Sequence, residues 1–247
     1  MTKSAEEFLK KIFPDDKICF AETDPEFKEL FCDFAFDEVM QTAGLNDKTR
    51  FLAILAALTG CQALDAYREM LPAALRLGIL PEQVKEMLYQ ATAYIGYGKV
   101  FSFLKATNEV FTKMCISLPL EGKKTAERQN RAKAGEQIQI SIFGEGMRGF
   151  SESGDAENGH INRWLSANCF GDYYTRAGLS VKEREMITFC FLMAQGGCEP
   201  QLIAHAKGNM HVGNDKHFLI CVVSQCLPYI GYPRSLNALR CIDEAAK

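Results

Sequence analysis

The chain has 247 residues and a formal net charge of -3, from 28 Lys and Arg against 31 Asp and Glu. Its length suffices for one large domain or two small ones, and 47% hydrophobic against 24% charged residues excludes a disordered chain. The near-neutral balance removes the main electrostatic driver of nucleic-acid binding, and with no secretory leader and no run of about 18–20 apolar residues a cytoplasmic, non-membrane protein is expected.

In chain order, residues 1–29 read as an N-terminal extension that opens on the charged stretch MTKSAEEFLKKIFPDD. Residues 30–116 form a first helical unit. Within it, Leu52 to Leu58 is apolar on every face, which suits a buried central helix. After Pro81, the positions Val84, Met87, Leu88, Ala91, Tyr94 and Ile95 recur at helical spacing, and Gly96–Gly98 break the helix before Phe101, Leu104, Val110 and Phe111 continue it. Residues 117–160 are richer in charge, Gly and Ser and read as a linker holding one amphipathic helix. Inside it, IQISIF looks strand-like and GEGMRG at 144–149 is formally G-x-G-x-x-G. The polar FSESGDAENG that follows is not the helix a dinucleotide site requires, so the segment reads instead as a lid or an inter-subunit arm. Residues 161–247 form a second unit around the apolar run Met186 to Ala194.

The two units repeat one another. GLNDKTR at 44–50 matches GLSVKER at 178–184, and YIGY at 94–97 recurs at 229–232. Gln90 and Gln225, Gly78 and Gly213, and Phe36 and Phe170 keep the same separation to within one residue. Preserved order at one offset indicates a tandem duplication. The ten cysteines, at 19, 32, 61, 115, 169, 190, 198, 221, 226 and 241, include no CxxC, so neither a zinc ribbon nor a dithiol redox site has its usual signature. Most read as small buried apolar residues.

The ordered motifs GL-x-x-K-x-R, a buried apolar helix and Y-I-G-Y, present twice, resemble the carboxymuconolactone decarboxylase family over residues 30–111 and 162–245. The resemblance implies an all-α fold of the alkyl hydroperoxidase D-like type, with the two tandem repeats forming a pseudo-dimer. It also implies homo-oligomers, and three such fused chains would complete a ring of six domains. The family holds two chemistries, decarboxylation of a γ-lactone and dithiol-dependent reduction of alkyl hydroperoxides, and fold alone does not choose between them.

The second chemistry carries Glu, then C-x-x-C-x-x-x-H. Here Glu185, Cys198 and His205 fall on that pattern, but Gln201 stands where the second cysteine belongs, leaving only a distant thiol such as Cys226 to resolve an oxidised one. In repeat one, Phe51 replaces Glu185, Met70 falls near the His205 position, and only Cys61 matches Cys198. The leading expectation is therefore a decarboxylase-like lyase, acting without metal or organic cofactor on a small carboxylated, lactone-type substrate. His205 is its acid/base, Glu185 orients it, and Cys198 is an auxiliary residue, or a thiolate if His205 and a helix N-terminus lower its pKa. Arg184, matched by Arg50, would anchor a substrate carboxylate or else form an ion pair between repeats. Tyr229 and Tyr232, like Tyr94 and Tyr97, would line a substrate cleft or pack where helices cross. The alternatives are a thiol-dependent peroxidase or disulfide reductase using Cys198, and a non-catalytic small-molecule binding protein.

Overall fold

A computed structural model describes residues 1–14, 20–42 and 44–247; Cys19 lies outside them. Every regular element among the described residues is helical, with no strand. The first half runs through α1 (Lys3–Ile12), α2 (Pro25–Asp33), a π-helical turn (Phe34–Glu38) continuing into α3 (Val39–Thr42), α4 (Asp47–Gly60), α5 (Leu64–Arg76), α6 (Pro81–Ile95) and α7 (Tyr97–Lys113). The second runs through α8 (Arg131–Phe143), two short 3-10 turns, α9 (Gly159–Trp164) continuing into a π-helical segment (Leu165–Tyr174), α10 (Val181–Gln195), α11 (Glu199–His211), α12 (Lys216–Ile230) and α13 (Tyr232–Ala245).

Local chemistry marks the helix ends. Ser180 caps α10 in a reciprocal box with Glu183, its backbone N–H donating to Oε2 at 2.8 Å and its hydroxyl accepting from the Glu183 N–H at 3.3 Å. The Asn46 side chain does the same work for α4, accepting from the Thr49 N–H at 2.9 Å. The glycine of each YIGY motif, Gly96 and Gly231, takes a positive φ of 85° and 78°, which ends one helix and lets the next begin one residue later.

The apolar runs legible in the sequence become α4 and α10, buried almost throughout and packed on each other at the centre. A Cβ on Gly60 would stand 2.8 Å from the Phe191 carbonyl oxygen, so glycine is what lets these two helices approach. Around them the repeats exchange support: α6 of the first packs on α10 of the second, and α12 of the second packs on α4 of the first. The result is a pseudo-symmetric pair in which each repeat's central helix is covered by a helix from the other.

The segment between the repeats differs from the sequence expectation in one respect. Residues 138–143 are not strand-like but form the last turns of α8. The alternating isoleucines suggested a period of two, yet the buried positions are Gly135, Gln139 and Ile142, spaced four and three along one helical face. That face packs on the π-helical segment 165–174 and on α11, as α1 packs on the π-helical turn 34–38 and on α5. The contact is backbone-close: a Cβ on Gly135 would lie 1.9 Å from the Ser166 carbonyl oxygen, and one on Gly171 would lie 2.2 Å from that of Arg131. GEGMRG becomes a 3-10 turn, Glu145–Met147, flanked by glycines. Of the nine described cysteines, six are buried, Cys61 and Cys198 are half-buried, Cys115 is exposed, and all are free thiols. No helix among the described residues is long and apolar enough to cross a membrane.

Candidate active site

His205 lies on α11, in the face turned to α10, and is 7% exposed. Its ring Nδ1 is 2.9 Å from Oε2 of Glu185, a carboxylate with no solvent exposure. A carboxylate accepts, so Nδ1 carries a proton, and Nε2 has no hydrogen-bond partner among the described residues. Two rings hold the imidazole edge-on, Tyr94 of α6 at 5.4 Å and Phe143 of α8 at 5.3 Å. Gly208, one turn beyond His205, makes room for the pair: a Cβ there would meet Oε2 of Glu185 at 2.8 Å.

Glu185 is held from its other side. The Tyr174 hydroxyl donates to Oε1 at 2.7 Å, and the hydroxyls of Tyr94 and Thr188 lie 3.0 and 2.7 Å from the same phenol oxygen. Tyr174 has a single proton, spent on Glu185, so Tyr94 and Thr188 both donate to it. Thr188 in turn accepts from the Gln90 side-chain amide at 2.8 Å. Burial pushes both phenols well above their ordinary range, and the Glu185 charge adds to the rise, so they stay neutral donors at any working pH. Two residues of this network, Tyr94 and Gln90, come from repeat one.

The His205 ring borders a cavity of about 520 Å³, also lined by Tyr94, Gln139, Phe143, Met147, Leu165, Cys169, Phe170, Leu192, Gln195, Cys198 and Gln201. This is the size of a small-molecule site. Its wall carries aromatic and aliphatic groups, three glutamines and two thiols, but no Lys or Arg among the described residues. Nor do any three His, Cys, Asp or Glu side chains among those residues cluster as metal ligands.

Three of the residues expected from sequence therefore come together: His205 and Cys198 on the wall and Glu185 behind the imidazole. Cys198 occupies the expected N-terminal position of α11, where it is the N-cap residue. Its thiol is nevertheless pushed up, because desolvation outweighs the Gln195 hydrogen bond and the Arg234 charge that act the other way. Cys226 does not stand beside it; that thiol is fully buried against Cys190.

The three residues assigned to substrate binding do not line the cavity. Arg184 is 1% exposed, and both of its terminal nitrogens are engaged inside the protein. Its guanidinium pairs with Glu86 at 3.1 Å, donates to Gln90 Oε1 at 2.8 Å, and donates to the Arg176 carbonyl at 2.7 Å. It ties α10 to α6, the inter-repeat ion pair that was its other reading. Tyr229 is half-buried on the opposite side of the pseudo-symmetry, its ring 5.7 Å from Phe31, and Tyr232 is exposed on the surface. Exchange of helices between the repeats explains the error. The tyrosine of the first YIGY motif, Tyr94, serves the site of repeat two, whereas Tyr229 belongs to the other half. Gln139, Tyr174 and Cys169 were missed because they fall in or near the supposed linker, where no periodic signal pointed inward.

The family model described as the carboxymuconolactone decarboxylase family matches residues 25–109 and again 160–244, well over half of the chain. The chain belongs to the carboxymuconolactone decarboxylase family. A 4-carboxymuconolactone decarboxylase from Acinetobacter baylyi is 27% identical over 120 residues, which are 48% of this chain and 89% of that protein. A crystal structure of a protein provisionally named a gamma-carboxymuconolactone decarboxylase subunit, from Burkholderia xenovorans LB400, superposes with a TM-score of 0.57 at 19% identity, covering 98% of this chain and 95% of that one. That structure shows a shared fold.

Repeat one differs at the positions that correspond to this cluster. Phe51, at the Glu185 position, packs on Phe8 of α1 at 6.2 Å, and Phe8 packs on Phe36 at 5.6 Å. Phe31 joins Phe36 to Tyr229, at 6.0 and 5.7 Å. An aromatic cluster thus surrounds, in repeat one, the position that Glu185 holds in repeat two.

Proposed function

We propose that this chain is a decarboxylase-type lyase that acts on a small carboxylated, lactone-type molecule through His205. The observation that carries the reading is the His205–Glu185 contact at 2.9 Å on the wall of a small-molecule-sized cavity, with Nε2 unengaged. Family membership supports decarboxylation as the class of reaction. In such a step the bond between carbon and carboxylate breaks, carbon dioxide leaves, and the electron pair is delocalised onto a conjugated carbonyl as an enolate. His205, carrying a proton on each ring nitrogen for this step, then delivers the Nε2 proton to carbon and returns to its neutral Nδ1–H form, and water restores the Nε2 proton. Glu185 fixes the ring orientation and stabilises the imidazolium, while Tyr174, Tyr94 and Thr188 hold Glu185.

The raised Cys198 thiol, with Gln201 in place of the second cysteine of a C-x-x-C motif, runs against thiol peroxidase chemistry. The test is an assay of carbon dioxide release from carboxylated γ-lactones, run beside an organic hydroperoxide assay with a dithiol reductant. Decarboxylation by wild type and by Cys198→Ser, lowered about 100- to 10,000-fold in His205→Ala, is expected. Peroxide turnover lost in Cys198→Ser, without lactone turnover, would overturn the proposal.

A further inference from the structure

Gln139 belongs to α8, outside both segments matched by the family model. It lines the cavity beside His205, has no solvent exposure, and its Nε2 has no hydrogen-bond partner. A buried amide N–H without a partner costs about 1–3 kcal/mol and is rare in native proteins. The Ser166 hydroxyl donates to Oε1 at 2.6 Å, which leaves the N–H₂ end free. Ser166 is itself fully buried where Gly135 lets α8 meet the π-helical segment at backbone distance. The fold therefore supports a donor that has no partner among the described residues. With no Lys or Arg on the wall, donors to an anionic ligand must come from His205 and from amides.

We propose that Gln139 Nε2 is the carboxylate-binding donor of this cavity, positioned by Ser166, so that the ligand carries an acid group that contacts α8 while its reacting carbon faces His205. The proposal rests on reading the cavity as the substrate site, but not on any particular chemistry occurring there. A charge-assisted hydrogen bond in a desolvated site replaces the missing arginine.

The experiment uses the full chain with ¹⁵N-labelled glutamine side chains, the Gln139 amide being assigned by its loss in Gln139→Leu. The probes are glutarate and cis,cis-muconate, with their neutral diamides as controls. Saturable downfield movement of the Gln139 amide protons with the dicarboxylates and not the diamides is expected. Gln139→Leu should raise the Kd of the tighter dicarboxylate about 10- to 100-fold, and Gln139→Glu should abolish binding through carboxylate repulsion. Should Gln139→Leu fail to fold, the Ser166→Ala/Gln139→Leu double variant removes both partners together and replaces it. His205→Ala is expected to keep the amide shift, so an absence of decarboxylation does not bear on this result. No amide shift with either dicarboxylate at millimolar concentration, unchanged affinity in Gln139→Leu, or retained affinity in Gln139→Glu would each overturn the proposal.

Discussion

At the scale of single residues, environment rather than residue type decides which groups carry chemistry. Cys198 shows this most directly. It has the helix N-terminal position that favours a thiolate, yet desolvation is the largest influence on it and pushes its pKa up. The sign is plain: a raised thiol pKa means the neutral form at neutral pH and slow alkylation there. The alkylation rate of Cys198, followed by peptide mass spectrometry, is predicted to rise only above the ordinary thiol range of about 8.5. A rate already at its plateau below that range would contradict the burial argument. His205, Glu185 and Cys198 were legible in the sequence because their spacing follows a family pattern. Arg184 was assigned to substrate for a reason that also makes it structural. A matched arginine in both repeats suits a carboxylate clamp or a buried ion pair, and only the position of Glu86, far off in sequence, decides for the pair.

At the scale of elements, α8 is where the sequence was least informative and the structure adds most. Its isoleucines alternate, its flanks are polar, and it lies between the repeats, so nothing local marked it as a wall of the site. What fixes it is a tertiary fact, the glycine-mediated approach of α8 to the π-helical segment 165–174. An exposed helical glycine replaced by alanine gains about 1 kcal/mol. At Gly135 the opposite sign is predicted, because the added Cβ would lie 1.9 Å from the Ser166 carbonyl oxygen. Gly135→Ala should destabilise by about 1–3 kcal/mol and weaken ligand binding by displacing Gln139, as read by denaturant unfolding and by titration. An unchanged or raised midpoint would show that the close approach is not a constraint. By contrast α4, α6, α7 and α10 were legible, since their apolar spacing and their Gly and Pro boundaries are local signals that tertiary packing reinforced.

At the scale of the whole molecule, the duplication explains the pattern of the surface. The offset that relates the repeats was readable from seven-residue motifs. The exchange of α6 and α12 between them was not, because sequence similarity does not say which copy a helix covers. The outer faces keep pseudo-equivalent exposed apolar residues: Phe27 and Leu30 on α2 against Ile161 and Trp164 on α9, and Tyr97 and Phe101 on α7 against Tyr232 and Leu236 on α13. We propose that these faces meet other copies of the chain. Light scattering after size exclusion is predicted to give a multiple of 27.6 kDa, a trimer if the fused repeats close a ring of six. A monomeric mass at micromolar concentration would contradict it.

The central claim is that His205, oriented by Glu185, delivers the proton that completes decarboxylation. The most direct measurement is turnover of a carboxylated γ-lactone in D₂O by wild type, Glu185→Gln and His205→Ala, with the configuration of the new C–D bond read by NMR. Wild type is predicted to place one deuteron on a single face of the product. Glu185→Gln should keep that face while losing about 100- to 10,000-fold in kcat, and any residual product of His205→Ala should carry deuterium on both faces. Facial selectivity and rate unchanged in His205→Ala would contradict the account.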